Sequence, residues 1–287
     1  MSNDITVGIP TYRRPFLLDR ALKSVLKQTY KKIFINVSVD YYEKNDQDYK
    51  IIRDKYLKFK NIKFYFQKKN IGSLENFFFL SNSCKTEYFM WLADDDEMTS
   101  SLIENLKKKI ISSKNIVCVC PYWYLKKKNK EKDITPATFE TNNLFTRVFN
   151  YLKFSDDVFF YGLHKSTIIK EATYSGYWWP NKNNLANWAY VLQFDILLKG
   201  KICLVDDVDA KWINHDYGTK FYVRSIGKSF FRYFAYIVRR INIYYYYIKK
   251  SLMQKKFHIF FLLLIISPLF FIRDIIFGEP IYKIIDF

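Results

Sequence analysis

Three consecutive carboxylates, Asp94, Asp95 and Asp96, follow the apolar run at residues 88–92. Like charges this close repel one another, so such a cluster persists most readily beside a divalent cation or a helix N-terminus. Mg2+ binds through one or two carboxylates while the phosphates of a substrate supply further oxygen ligands. The triplet therefore predicts either a Mg2+ or Mn2+ site for a phosphate-bearing ligand, or the acid-rich first turns of a helix that begins near Thr99.

The elements that must position these acids alternate along the first part of the chain. Apolar runs predict strands at residues 5–10, 33–39, 62–66 and 88–92, and helical patterns between and after them end near residues 26, 56, 83 and 111. Such alternation predicts an α/β fold with a parallel sheet, whose ligands bind at the carboxyl ends of the strands. Asp40 and the acidic triplet both stand at such ends.

Less regular elements are predicted beyond the triplet. They are a capping box at Ser101 and Glu104, a strand at residues 116–125, a solvated loop at 126–132, a strand at 158–163, a helix at 185–198 closed by Gly200, and a strand at 201–205. We expect one domain over residues 1–215 and a basic, aromatic-rich helical region over residues 216–287.

Five features occur in a fixed order over about 100 residues. They are Pro10-Thr11-Tyr12-Arg13-Arg14-Pro15 after the first strand, Leu26-Lys27-Gln28-Thr29-Tyr30 at a helix end, Asp40, Asn70-Ile71-Gly72, and residues 88–96 (YFMWLADDD). Together they resemble glycosyltransferase family 2, the inverting enzymes of GT-A fold. The resemblance implies a GT-A fold with a Rossmann-like nucleotide-binding sheet and a nucleoside diphosphate sugar as donor.

The resemblance also implies roles for individual residues. The nucleotide-sugar site would contain Pro10, Thr11, Tyr12, Arg13, Asp40, Lys69, Asn70, Gly72 and Asp94, with Lys68 nearby. Thr11 and Tyr12 would line the base and ribose, and Asp40 would accept a hydrogen bond from the base. Asp94, Asp95 and Asp96 would hold Mn2+ or Mg2+, which would bridge the two phosphates and take up the charge of the leaving diphosphate.

An inverting transfer also needs a base for the proton of the acceptor hydroxyl. In the family this base is an Asp or Glu at the start of a helix that ends in Gly, and here Asn187 stands at that position. Asn187 and His215 are the predicted catalytic positions, with Asp156 and Asp157 as further candidates. The alternatives are proton removal by water or phosphate, or a weak or inactive relative that only binds sugar nucleotides.

Five further residues are candidates for the surroundings of the site. The segment before His164, with Gly162 allowing close approach, would run below the acceptor sugar by the same resemblance. Trp178 and Trp179 would stack on a sugar or fill the core. Asp195, further along the helix that follows Asn187, is expected to be an ordinary surface acid.

The chain is strongly basic, with 46 Lys and Arg against 28 Asp and Glu and a formal charge of +18. Residues 220–287 carry 12 Lys and Arg against 3 Asp and Glu, a net charge of +9. The excess predicts a polyanionic partner, such as nucleic acid, anionic lipid or a phosphate-rich ligand. No nucleic-acid motif accompanies it, so we expect no nucleic-acid partner.

The C-terminal pattern favours an anionic membrane surface as that partner. Arg224, Lys228, Arg232 and Arg239 form a basic stripe at helical spacing, with aromatic residues between them. Residues 257–272 (FHIFFLLLIISPLFFI) are apolar, short for a span and interrupted by Pro268, which predicts an in-plane or re-entrant helix, or a buried core helix.

These observations combine into one functional prediction. A metal-dependent inverting transferase would add a sugar to a lipid-linked glycan, in synthesis of a bacterial surface polysaccharide. The absence of a signal-peptide pattern predicts the cytoplasmic face of the inner membrane, with peripheral or monotopic attachment. The spacing of Cys84, Cys118, Cys120 and Cys203 predicts reduced thiols rather than zinc ligands or disulfides.

Overall fold

A computed structural model describes residues 4–41, 46–127, 130–154, 158–173, 188–215 and 230–277. The strands are β1 Ile5–Thr11, β2 Ile33–Val39, β3 Ile62–Phe66, β4 Tyr88–Trp91, β5 Glu97–Met98, β6 Ile116–Cys120, β7 Tyr122–Lys127, β8 Lys130–Ile134, β9 Leu163–Lys165, β10 Lys201–Leu204 and β11 Lys211–His215. The helices are α1 Pro15–Leu26, α2 Asp46–Tyr56, α3 Ser73–Ser83, α4 Leu102–Ile111, α5 Leu144–Phe154, α6 Ser166–Ala172, α7 Trp188–Leu197, α8 Phe230–Met253 and α9 Phe257–Phe277.

Within these ranges, seven strands form the central sheet in the order β10-β6-β9-β4-β1-β2-β3. β1 pairs in parallel with both β2 and β4, whereas the short β9 runs antiparallel to β4 and β6. The chain leaves β1 toward β2 and β3 on one side and returns to β4 on the other. A crevice opens where strand order reverses in this way, so the carboxyl ends of β1, β2 and β4 frame the candidate site. The predicted α/β fold is confirmed.

A second sheet, in the order β5-β11-β7-β8 within the described residues, differs from the sequence prediction. The predicted single strand at 116–125 is wrong, because Pro121 separates β6 in the first sheet from β7 in the second. Proline has no N–H for a continuing ladder. The predicted loop at 126–132 is also wrong at its described residues, since Lys126 and Lys127 of β7 pair antiparallel with Glu131 and Lys130 of β8.

Two other local predictions fail. Residues 158–163 were predicted as a strand, but Val158–Tyr161 is a 3-10 turn that leads into β9. The capping box is absent, because the Ser101 side chain makes no capping hydrogen bond to α4. Glu104 instead accepts a hydrogen bond of 2.5 Å from Thr29 Oγ1, which joins α4 to the end of α1.

Alternate residues of β4 belong to two hydrophobic clusters, which lie on opposite faces of the sheet. Tyr88 and Met90 belong to a cluster that includes residues of α1, α2 and α4, whereas Phe89 and Trp91 belong to one that includes residues of α5, α7, α8 and α9. This period of two is what a strand buried on both faces requires. The four cysteine side chains are buried, and none of them forms a disulfide in the part of the chain that the structure describes.

Candidate active site

A cavity of about 500 Å³ lies at the edge of the sheet where β1, β2 and β4 end. The residues that line it come from the loops after these strands, from the start of α3 and from the turn before β9. They are Pro10, Thr11, Tyr12, Arg14, Asp40, Asn70, Gly72, Ser73, Asn76, Phe77, Ala93, Asp94, Asp95 and Tyr161. We call this cavity the donor cleft, after the nucleotide-sugar donor that the family resemblance of the sequence predicts.

A chain of hydrogen bonds fixes Asp94 at the rim of the donor cleft. Thr11 Oγ1 donates to Asp94 Oδ2 at 2.6 Å. Because this uses the only proton of the Thr11 hydroxyl, the Tyr49 hydroxyl, 2.8 Å away, donates to Thr11 Oγ1. The Arg14 backbone N–H donates to Tyr49 Oη at 2.9 Å. Burial is the largest cause that raises the pKa of Asp94 to about 7. A neighbouring cation would lower this pKa, because it stabilises the ionised carboxylate.

Asp94 and Asp95 converge on one cationic nitrogen. Arg14 Nη1 lies 2.5 Å from Asp95 Oδ2 and 3.5 Å from Asp94 Oδ1. Arg13 has φ of 60°, in the left-handed region, and α1 begins at Pro15 immediately after Arg14. This turn lets the Arg14 side chain reach back to the acids that follow β4.

Asp96 has a different environment from its two neighbours. Trp212 Nε1 donates to its Oδ2 at 2.8 Å, and Asn214 Nδ2 and the His215 backbone N–H donate to its Oδ1 at 3.0 and 3.3 Å. The side chain is 2 % exposed, and burial foremost raises its pKa to about 7. Asp96 therefore joins the first sheet to β11 in the second.

Asp40 holds the loop that precedes α3. Its Oδ1 accepts hydrogen bonds from the backbone N–H groups of Tyr41 and Ile71, at 2.9 and 2.8 Å, and its Oδ2 accepts one from Gly72 at 3.0 Å. Gly72 has φ of 81°, a conformation that favours glycine, and α3 starts at the next residue. The start of α3 is thereby fixed against the donor cleft.

An aromatic cluster connects the donor cleft to α7. The Phe77 ring centroid lies 5.5 Å from that of Trp188 and 6.5 Å from that of Tyr161. Tyr161 lies 4.8 Å from Trp212, which stacks on Trp123. Flat apolar faces at this position could pack against a base or sugar ring.

The donor set fits a divalent cation at Asp94 and Asp95. Two carboxylate oxygens already meet one positively charged nitrogen, and hard cations prefer such oxygens. Asp96 differs, since both of its oxygens accept hydrogen bonds from β11. Within the described residues, no three carboxylate, imidazole or thiol groups converge as a ready metal site, so further ligands would have to come from phosphates or water.

Comparison with known proteins decides the family. The sequence profile of glycosyl transferase family 2 matches residues 6–174, more than half of the chain. The chain belongs to glycosyl transferase family 2. No curated protein matches the sequence.

Solved structures of GT-A glycosyltransferases share the fold. The chain is similar to residues 1–349 of S. aureus TarS, with a TM-score of 0.61 and 13 % identity over 99 % of this chain and 92 % of that one. It also resembles the same TarS fragment in complex with UDP-GlcNAc, with a TM-score of 0.56 and 14 % identity over 83 % of this chain and 66 % of that one.

A third similar structure is GalNAc-T7 with UDP, GalNAc and Mn2+, with a TM-score of 0.56 and 14 % identity over 75 % of this chain and 44 % of that one. In another TarS crystal structure the chain covers only 39 % of the length. At these identities the comparisons show the fold alone.

Most of the predicted family-2 nucleotide site lies together in the donor cleft. Pro10, Thr11, Tyr12, Asp40, Asn70, Gly72 and Asp94 all line it. Arg13 and Lys69 are not among the described residues that line it; Lys69 is exposed, and Arg13 lies over the Tyr12 ring at 4.9 Å. Arg14, Asn76 and Phe77 line the cleft but were not predicted as site residues. For Asn76 and Phe77 the signal was spacing, since α3 starts after Gly72 and its first turns face the cleft, whereas Arg14 follows β1 and belongs to the segment at residues 10–15.

Of the predicted catalytic residues, only His215 belongs to the described part of the chain. Asn187, Asp156 and Asp157, like Trp178 and Trp179, lie outside the described residues. His215 Nε2 lies 2.9 Å from Glu97 Oε1, and burial foremost lowers the pKa of its imidazole. His215 is not among the described residues that line the donor cleft.

Three sequence interpretations of nearby residues need correction or detail. Asp195 is not a surface acid, since it is 4 % exposed and lies 3.1 Å from Lys250 Nζ. His164 is fully buried, and its Nε2 lies 2.9 Å from the Phe160 carbonyl oxygen. A Cβ added to Gly162 would lie 2.7 Å from Cys118 Sγ, so this glycine allows close approach to β6.

Proposed function

We propose that the protein transfers a sugar, with inversion, from a nucleoside diphosphate sugar to a glycan acceptor carried on a membrane. The observation that carries the donor part is the convergence of Asp94 and Asp95 on one cation position at the rim of a cleft. Family membership supports transfer of a sugar. The UDP and UDP-GlcNAc in the TarS structures support a UDP-sugar as the donor.

The residues of the donor cleft would bind the two halves of the donor separately. Asp40 fixes the Asn70–Gly72 loop, and Thr11 with Tyr12 would face the base and ribose. The start of α3, where the helix dipole is positive, would favour the negatively charged phosphates. Arg14 adds a guanidinium that can pair with a phosphate in place of the carboxylates.

Asp94 and Asp95 would hold a divalent cation, Mn2+ or Mg2+, in the active protein. When bound, the ion would offset the negative charge that builds on the diphosphate as the bond to the sugar breaks. Thr11 would keep Asp94 oriented for this role by donating to its Oδ2, and the Tyr49 hydroxyl would hold Thr11 in place by donating to Thr11 Oγ1. The Mn2+ in the GalNAc-T7 structure supports a metal of this class.

The acceptor part of the proposal depends on the C-terminal region. α9 is long and apolar enough to cross a membrane by length and composition, and the region that contains it has a net charge of +9. Both features favour contact with anionic lipid, so we propose a polyprenyl-linked glycan as acceptor. The location would be the cytoplasmic face of the inner membrane, with peripheral or monotopic attachment.

The test uses the purified full chain with Mn2+ or Mg2+ and a panel of UDP-, GDP-, CDP- and dTDP-sugars. We expect one donor class to raise the melting temperature in a metal-dependent way and to release its diphosphate when a lipid-linked acceptor is added. Asp95→Asn should remove the metal dependence, whereas the exposed Asp54→Asn on α2 should not.

The results separate an active transferase from an inactive relative, the two interpretations of a chain that has Asn187 where the family has a carboxylate. Donor binding without product would identify an inactive relative that only binds sugar nucleotides. If no sugar nucleotide changed the melting temperature with either metal, the transferase proposal would be wrong.

A further inference from the structure

α9 has one face packed on the protein and one apolar face that the described residues leave exposed. The packed face includes Ile259, Leu263, Ser267 and Asp274, each at most 4 % exposed. The opposite face consists of seven large apolar residues that are between 48 % and 72 % exposed: Phe257, Phe261, Leu264, Ile265, Leu269, Ile272 and Ile276. We call this second set the apolar stripe.

The apolar stripe runs along the whole helix. Its members recur three or four residues apart, with Leu264 and Ile265 side by side, which places them on one side of an α-helix. At 1.5 Å per residue, Phe257–Ile276 extends about 30 Å. A contiguous exposed apolar surface of this length marks a site of interaction with another protein or with lipid.

Both ends of α9 are attached to the same neighbouring helix. Near the C-terminal end, Asp274 is fully buried; it pairs with Arg240 of α8 and accepts a hydrogen bond of 2.7 Å from Tyr244. At the other end, the Lys256 N–H donates to the Ser251 carbonyl of α8 at 2.8 Å. α9 therefore lies antiparallel along α8.

α8 is in turn attached to α7. Lys250 Nζ lies 3.1 Å from Asp195 Oδ2, with both side chains at most 5 % exposed. If α9 crossed a bilayer, it would have to leave α8 or draw these buried charges toward the hydrocarbon, and breaking a buried ion pair is costly. The packing therefore favours a helix that stays on α8 while its other face meets the lipid.

We propose that α9 is an in-plane anchor, whose apolar stripe lies in the boundary between headgroups and acyl chains of an anionic membrane. Lys255, Lys256 and Arg273 adjoin the helix or belong to it, and the surrounding region carries a net charge of +9. This charge complements anionic headgroups. A second copy of the chain would instead bring two strongly basic surfaces together, which like-charge repulsion opposes.

The anchor lies a few side chains from the donor cleft. The cleft residue Phe77 contacts Trp188 at the start of α7. Tyr190 lies two residues further along this helix, and its ring centroid is 6.0 Å from the Arg240 guanidinium. Arg240 is the partner of Asp274. An anchored α9 would thus hold the cleft near the membrane surface. The benefit of this position to catalysis rests on the proposed function. Binding of α9 to lipid does not rest on it.

The experiment measures sedimentation of the full chain with vesicles of phosphatidylcholine, with and without phosphatidylglycerol. We expect binding to the anionic vesicles that weakens as salt is added. Ile265→Asp and Leu269→Asp should each weaken binding at least about tenfold, since each puts a charge into the apolar boundary. Leu57→Asp, at a residue 68 % exposed beyond α2, is the matched control and should bind as the unmodified protein does.

A second measurement separates an in-plane helix from a span. The native cysteines are buried, so a fluorophore can be attached to Phe257→Cys, Ile265→Cys or Ile276→Cys. Quenching by lipids labelled at known depths should place all three at one shallow depth. A central position much deeper than the two ends would show a span and overturn the proposal.

Two other outcomes would also overturn it. Stripe variants that bind vesicles as strongly as Leu57→Asp would show that α9 is not the anchor. A dimer in solution that these variants dissociate, without vesicle binding by the unmodified protein, would show that a second copy covers the stripe. The sugar-nucleotide melting shift, measured on the same variants, should stay unchanged and thus reports separately on the proposed function.

Discussion

Arg14 Nη1 lies 2.5 Å from Asp95 Oδ2, in the position from which a cation would contact both Asp95 and Asp94. The guanidinium and a divalent ion cannot both occupy that position. Arg14 therefore competes with the proposed metal until a diphosphate offers the guanidinium another partner. Such an exchange would couple metal binding to donor binding.

The first prediction concerns this competition. Arg14→Ala should increase the affinity for Mn2+ in the absence of donor by up to about fivefold, because a partly exposed ion pair contributes about 0.2–1 kcal/mol. The same variant should bind a sugar nucleotide more weakly. Isothermal calorimetry measures both, with Arg53→Ala on α2 as the control. A lower Mn2+ affinity in Arg14→Ala would place the metal elsewhere.

The second prediction concerns the loop before α3. Asp40→Asn keeps the size of the side chain but puts an NH2 group where carboxylate oxygens accept from Ile71 and Gly72. Leaving a buried donor unpaired costs about 1–3 kcal/mol. We expect a lower melting temperature and weaker donor binding, both measured by thermal shift beside Asp54→Asn. Equal donor binding by the two variants would contradict the role given to Asp40.

The third prediction concerns the ion pair between α7 and α8. Lys250→Met should lower the free energy of unfolding by about 3–5 kcal/mol, because Asp195 would remain buried without its countercharge. Adding Asp195→Leu should recover most of that loss, since an apolar pair of similar volume fits a buried position. Urea denaturation measures both variants. A double variant as unstable as Lys250→Met would indicate that the charges themselves are needed.

The fourth prediction concerns the turn before β9. Gly162→Ala would place a Cβ 2.7 Å from both Cys118 Sγ and the Val119 carbonyl oxygen. Overpacking of this kind costs about 1–3 kcal/mol. Adding Cys118→Ala should restore only part of the stability, because the backbone contact remains. Thermal unfolding of the two variants provides the measurement, and an unchanged melting temperature in Gly162→Ala would be the contrary result.

The fifth prediction concerns acid stability. Burial disfavours the ionised form of Asp19, but hydrogen bonds from Lys23, Lys55 and Tyr56 outweigh it and lower the pKa of Asp19 to about 2. A folded-state pKa below the unfolded one stabilises the protein above the unfolded value, and the gain is lost as pH falls toward the folded one. The stability difference between the unmodified protein and Asp19→Asn should therefore shrink between about pH 4 and pH 2. A difference that stayed constant over this range would contradict the assignment.

The sequence was most informative where chemistry depends on local position. Asp40 and Asp94 were predicted at strand ends because apolar runs stop there, and parallel pairing brings those ends together. The partners of Asp96 could not be predicted in this way, since Trp212 and Asn214 reach it from a strand more than 100 residues later. Local patterns do not specify such contacts.

Asp195 illustrates the same limit. Its position on α7 gave no sign of burial, because the lysine that neutralises it belongs to α8. The predicted loop at 126–132 failed at its described residues for a related reason, since pairing with β11 and between β7 and β8 overrides the low strand propensity of lysine and glutamate. Tertiary pairing decided both cases.

Pro268 stands within α9 and is exposed on the same side as Leu264, four residues earlier. Proline cannot donate a hydrogen bond to the Leu264 carbonyl, so that oxygen needs another donor. Water among the lipid phosphate groups can donate this hydrogen bond, whereas the hydrocarbon core of a bilayer offers no donor. This single imino acid thus adds to the cost of placing α9 in hydrocarbon, and it favours a shallow position for the proposed anchor independently of the ion pair with α8.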